Sequence, residues 1–148
     1  MLNERAVYRL ANLRRLIDPR IIAVVGASEA RGSFRQRTLA NLAGFGGKIF
    51  GVNPKYRELG SAPCFSALTE LPEAPDCVVL CVARMQVGDS LQQAVELGAG
   101  GTIVYASGFA ETGFSGRVVE QEKIVATARR SSTARTAPGS RTCAAAPS

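Results

Sequence analysis

The chain has 148 residues, one domain by length alone, and 46% of them are hydrophobic, enough to exclude a body that stays unfolded. Its formal charge of +6 is diffuse, with no basic run interleaved with aromatics; this suits a polyanionic small molecule or an acidic surface and speaks against a nucleic-acid partner. No apolar stretch approaches membrane-spanning length, and the charged segment from Met1 to Leu16 lacks the apolar run of a signal peptide, so a cytoplasmic protein with no membrane partner is expected.

From the start of the chain, Leu2 to Leu16 reads as a basic amphipathic helix, because Val7, Leu10, Leu13 and Ile17 recur at helical spacing. Asp18-Pro19 ends it, since proline cannot continue the hydrogen-bond ladder. Ile21 to Val25 is a short continuous apolar run, the pattern of a strand buried on both faces. Gly26-Ala27-Ser28 breaks it, and a helix from about Phe34 to Ala43 follows, terminated by the glycines from Gly44 to Gly47.

Lys48 to Val52 is the second strand, turned away by Asn53-Pro54-Lys55-Tyr56. Gly60 to Pro75, punctuated by Pro63, Pro72 and Pro75, reads as a loop with one short turn of helix. Cys77 to Val82 is the third strand, and Val87 to Leu97 is a helix with Leu91, Ala94 and Val95 on one face, capped by Gly98 to Gly101. Thr102 to Ala106 is the fourth strand, Ser107 to Gly113 a glycine-bearing loop and Val118 to Ala128 the last helix. Ser131 to Ser148 is rich in Ala, Ser, Thr, Arg and Pro without apolar periodicity and reads as a disordered tail, which puts the domain at 1–130 and the tail at 131–148.

Strands alternating with helices predict right-handed crossovers and hence parallel strands, a doubly wound α/β sheet of about four strands. Ligands of such sheets bind outside the carboxyl ends of the strands, where the strand order reverses. The four cysteines have no paired metal-ligand spacing, and Cys77 and Cys81 fall on one face of the third strand as buried thiols. No metal site and no disulfide framework is expected.

Three strand ends converge on the expected crevice. After the first strand come Gly26, Ala27 and Ser28, then Arg31, Gly32 and Ser33. Glycines there let backbone amides approach a phosphate, the following helix N-terminus favours negative charge, and Arg31 and Ser33 add donors. After the second strand, an NAD-type domain offers an acid to the ribose hydroxyls; this chain has Asn53, Pro54 and Lys55, and a lysine suits a phosphate instead. After the fourth strand, Gly108 allows close backbone approach while Ser107 and Phe109 supply a hydroxyl and an apolar face. Val82 and Ala83, followed by Arg84 and Met85, form another wall. Each stretch alone is also explained as an ordinary turn.

Together these segments resemble a known family. Asp18-Pro19-Arg20, Ala23-Val24-Val25-Gly26-Ala27-Ser28, Lys48-Ile49-Phe50, Val52-Asn53-Pro54-Lys55-Tyr56 and Ser107-Gly108-Phe109-Ala110-Glu111-Thr112-Gly113 are similar to the CoA-binding domain of ADP-forming acetate–CoA ligases and related acyl-CoA synthetases, and more distantly to the succinyl-CoA ligase α-subunit. The resemblance implies a Rossmann-like sheet and coenzyme A as the ligand. The loop from Gly26 to Ser33 and Lys55 would hold its phosphates and adenosine part, with Ser107 and Gly108 along its pantetheine arm. It implies CoA or acyl-CoA and the remaining ligase domains, on another chain, as partners.

The sequence departs from the family in two places: a glycine usual after Gly32-Ser33 is Arg35, which would either clash with a phosphate or bind it, and a usual proline is replaced around Ala83-Arg84. The family relays phosphate through a histidine on a later domain, whereas this sequence has no histidine and no evident nucleophile–base pair. No catalytic residue is therefore assigned, and the chain alone is expected to be inactive. The final strand usual in the family has no counterpart in the tail, as a truncation would leave it. The alternatives are an NAD-binding enzyme and a non-catalytic regulatory or interaction module.

Overall fold

The computed structural model describes residues 10–28, 33–106 and 113–134. The elements run α1 (Leu10–Ile17), β1 (Ile21–Val25), α2 (Phe34–Asn41), β2 (Lys48–Val52), β3 (Glu58–Leu59), β4 (Ala62–Phe65), a 3-10 turn (Leu68–Glu70), β5 (Cys77–Leu80), α3 (Arg84–Glu96), β6 (Gly101–Val104) and α4 (Ser115–Ala134). The sheet order is β3-β4-β2-β1-β5-β6. All pairings are parallel except β3 with β4. The chain leaves β1 toward β2 on one side and returns to β5 on the other, so the strand order reverses between β1 and β5, as a doubly wound sheet requires.

Alternation along the strands divides the core in two. Ala23, Val25, Val78 and Leu80 pack with Val87, Leu91 and Ala94 of α3. Ile22, Val24, Cys77, Val79 and Cys81 face the opposite side, with Leu16 of α1 and Leu39 of α2 against them. Because both faces are covered, the central strands have no polar face. Cys77 and Cys81 do share a face, buried among aliphatic side chains.

Six strands stand where about four are expected. The two additional ones form a hairpin within residues 58–65, part of it in the stretch read as a loop. Gly60 takes φ +61 at the first position of its two-residue turn, the place where a type II′ hairpin needs glycine. β4 then extends the sheet beside β2, pairing Gly51 with Cys64 and Val52 with Phe65.

The helix ends also shift. α3 starts at Arg84 rather than Val87, and α4 runs from Ser115 to Ala134 rather than from Val118 to Ala128. Residues 131–134, read as the start of the tail, are therefore helical; residues 135–148 lie outside the described ones. α3 ends in a Schellman motif: the Ala99 amide donates to the Ala94 carbonyl and the Gly98 amide to Val95, with Gly98 at φ +81. No helix among the described residues is long and apolar enough to cross a membrane.

Candidate functional site

The carboxyl ends of β1, β2, β5 and β6 converge at the reversal point. Gly26 has φ +78, and a Cβ there would lie 2.5 Å from the Cys81 carbonyl oxygen. The glycine is thus required for close approach of the β1 end to β5, whatever else the loop does. Its amide donates to the Val52 carbonyl at 2.8 Å, so that donor is already engaged within the protein. Ala27 and Ser28 are buried.

Asn53 ties the second strand end to the first. Its side-chain Nδ2 donates to the Ala27 carbonyl at 2.7 Å, and its Oδ1 accepts the Lys55 amide at 2.9 Å. Both ends of the amide are therefore engaged within the protein, holding the turn through Pro54 and Lys55 against the β1 loop. Pro54 and Lys55 are exposed. Ser33 caps α2, its Oγ accepting the Gln36 amide at 3.1 Å, and a hydroxyl that accepts in this way keeps its own proton to donate.

A cavity of about 470 Å³ opens on the β5 and β6 side of the reversal point. Cys81, Val82 and Ala83 form one wall, Val104, Tyr105 and Ala106 another, and Arg35 of α2 reaches it from a third side. The Tyr105 amide donates to the Leu80 carbonyl at 2.9 Å, which carries the β5–β6 pairing to the cavity edge. Burial pushes the Cys81 thiol up; the Thr38 hydroxyl at 4.0 Å and the Arg35 charge pull only part of the way back. Cys81 is therefore a wall residue rather than a thiolate nucleophile. A larger cavity, about 790 Å³, runs between α2 and the β3–β4 hairpin, with Leu39, Phe45, Ile49 and Leu59 among its walls and Ser28 and Gln36 also lining it.

The structure thus brings Gly26, Ala27, Ser28 and Asn53 into one bonded unit, with Pro54 and Lys55 in its turn and Val82 and Ala83 in the wall of the 470 Å³ cavity. Arg31 and Gly32, and Ser107, Gly108 and Phe109, lie outside the described residues. Sequence reasoning did not assign Tyr105 or Cys81 to the site; their only signal is that each stands at a predicted strand's carboxyl end.

The model of the CoA binding domain family matches residues 20–143, most of the chain. The chain belongs to that family. An ADP-forming acetate–CoA ligase I of Archaeoglobus fulgidus is 32% identical over 112 residues, covering 76% of this chain and 16% of that protein. The α-subunit of the ADP-forming acetate–CoA ligase I of Pyrococcus furiosus is 32% identical over 125 residues, 80% of this chain and 27% of the subunit. The solved apo structure of dinucleotide-forming acetyl-coenzyme A synthetase 1 from Candidatus Korarchaeum cryptofilum superimposes with a TM-score of 0.75 at 31% identity, over 81% of this chain and 26% of that one. This CoA-binding domain chain spans only 16–27% of the length of these relatives.

Proposed function

We propose that this chain binds coenzyme A across the carboxyl ends of β1, β2, β5 and β6, as the CoA-holding part of a cytoplasmic ADP-forming acyl-CoA ligase. In such a ligase CoA is a substrate that arrives and leaves, not a resident cofactor. The phosphates and adenosine part lie along the loop from Gly26 to Ser33 and beside Lys55. The pantetheine arm runs past Val82 and Ala83 toward the segment holding Ser107, Gly108 and Phe109. The phosphate relay of the ligases this chain resembles runs through a histidine, and this sequence contains none; the ligase domains that complete the reaction are the partner, carried on another chain as the subunit division of a relative suggests.

The observation that carries the reading within the family is Asn53. An NAD site needs a free acceptor for the ribose hydroxyls at the end of the second strand. Here that position is an amide engaged at both ends, followed by an exposed lysine, which suits a phosphate better than a pair of hydroxyls. Equilibrium dialysis against CoA and NAD tests it: CoA is retained at lower concentration than NAD, and equal or tighter retention of NAD overturns the reading. The purified chain, given acetate, CoA and ATP, forms no acyl-CoA; sustained turnover above a protein-free blank would require a nucleophile other than histidine.

A further inference from the structure

Two arginines flank the crevice, and the fold treats them differently. Arg84, the first residue of α3, is ion-paired with Glu120 of α4, so its charge is neutralised within the protein. Arg35, the second residue of α2, lines the 470 Å³ cavity, where it is the sole charged residue among the described lining residues. Its side chain is exposed and has no ion pair or hydrogen bond among the described residues. A cation in the first turn also opposes the helix dipole, and that turn of α2 holds no acidic residue to offset it. Among the described residues no carboxylate offsets that charge, so the guanidinium is placed to meet an anion entering the cavity.

We propose that Arg35 is an anion clamp that grips the diphosphate of the ligand, a contact supplied by a side chain where the sequence pattern of the family has glycine. The proposal rests on the CoA reading of the crevice and adds a specificity-determining residue to it. Two features of position select the diphosphate over the other phosphate of CoA. In a doubly wound sheet the diphosphate sits where the first strand passes into its helix, and the ribose sits at the end of the second strand. Arg35 stands at the first place, in the first turn of α2 and two residues after the Ser33 cap. Lys55 stands at the second, in the turn that Asn53 pins to Ala27. The two cations therefore divide the ligand: Arg35 takes the diphosphate and Lys55 the phosphate on the ribose. A guanidinium offers several donors in a fixed fork, so it can span two phosphate oxygens.

The test is calorimetric titration of the 148-residue chain and its R35Q, R35G and K55E variants with CoA, dephospho-CoA, pantetheine and inorganic pyrophosphate. Thermal melts confirm that each variant is folded. R35Q and R35G are expected to weaken CoA and dephospho-CoA alike, by at least about tenfold, and to leave pantetheine unchanged. K55E is expected to weaken CoA and leave dephospho-CoA unchanged. Unchanged CoA affinity in R35Q, or tighter binding in R35G, overturns the clamp and shows Arg35 to be neutral or an obstruction, while CoA binding itself stands. An R35Q loss seen with CoA and absent with dephospho-CoA overturns the assignment to the diphosphate. If the wild type ignores CoA but binds pyrophosphate through Arg35, the CoA reading falls and the clamp stands; binding of neither ligand overturns both.

Discussion

The two ends of the sheet use charge in opposite ways. At the amino ends, Asp76 precedes β5 and is the hub: Arg15 of α1 donates its Nε to Asp76 Oδ1 at 2.7 Å, and the Arg20 and Ile21 amides donate to Oδ2 at 2.9 and 3.2 Å. The remaining Arg15 nitrogens donate to the Gly98 and Pro75 carbonyls. Lys48, at the start of β2, is paired with Glu73. At the carboxyl ends, Arg35 and Lys55 have no ion-pair partner among the described residues. Paired charge holds α1 and the start of β1 to the sheet; at the end where ligands of doubly wound sheets bind, Arg84 is paired with Glu120, while Arg35 and Lys55 have no such partner among the described residues. Substitutions at the two ends should therefore separate into losses of stability and losses of binding.

Gly26 is the exception that sharpens the contrast, because it is a structural residue at the ligand end. Gly26→Ala places a Cβ 2.5 Å from the Cys81 carbonyl, at a backbone angle of φ +78 that side chains rarely adopt. Denaturant unfolding should show a loss of about 3 kcal/mol or more. A loss within about 0.5 kcal/mol would mean that β1 and β5 do not approach so closely.

Asp76→Ala removes the amino-end hub and should cost about 2–3 kcal/mol, the scale of hydrogen bonds to a charged group, while CoA affinity of the folded fraction stays the same. The same group sets an acid limit. Burial alone would raise the Asp76 pKa, but the Arg15 hydrogen bond and charge and the Arg20 and Ile21 amides outweigh it and bring it below its ordinary value of 3.8. A carboxyl depressed on folding stabilises the protein above its unfolded pKa. That contribution is lost as pH falls through 3.8 to the lower folded value. Stability measured from pH 6 down to pH 2 should therefore fall more gently in Asp76→Ala than in the wild type; parallel curves would remove Asp76 from the acid response.

Lys55→Glu is the mirror case. CoA affinity should fall about tenfold, roughly 1.4 kcal/mol, with stability within about 0.5 kcal/mol of wild type; a stability loss larger than the binding loss would place Lys55 with the structural charges. The smallest effect belongs to Glu73→Gln. Both side chains of the Lys48–Glu73 pair are largely exposed, so its loss should cost under about 1 kcal/mol and shrink further in high salt. A salt-independent loss above that would show the pair to be screened from solvent.

Much of this arrangement is legible in the chain. Ile21–Val25 and Lys48–Val52 are strands over the same residues that the apolar runs mark, because a strand buried on both faces must be apolar throughout. The other two expected strands, central β5 and β6 at the end of the sheet, fall in their expected runs with ends shifted by one or two residues. The turn after β2 was visible in Asn53-Pro54-Lys55-Tyr56, and the Asn53 amide donor to Phe65 confirms that the turn leads away toward the hairpin. The hairpin itself was hidden by length: β3 has two residues and β4 four, with Pro63 inside. Neither is long enough to show a period. Gly60-Ser61 is a two-residue hairpin signal, but without recognisable flanking strands it reads as loop. The start of α3 was equally silent, since its N-cap is Ala83, which has no side-chain hydrogen bond to announce it.

The sequence by itself determined the doubly wound order, the buried strands and the loops that gather at their carboxyl ends, because burial on both faces and strand-breaking turns are local properties of residue type and spacing. Tertiary structure alone decided which polar groups are already used. In the chain Asn53 shows no sign of the bonds by which its amide joins Ala27 and Lys55. Nothing in the chain shows that Gly26 is also needed for packing, which appears only when its absent Cβ is seen to make room for the Cys81 carbonyl. Arg84 and Arg35 are alike in the chain, and only the distance to Glu120, 36 residues on, separates a neutralised arginine from one left facing the cavity. The reason is physical: a side chain's availability depends on the partners that folding brings within about 3 Å of it, and those partners are distant in sequence.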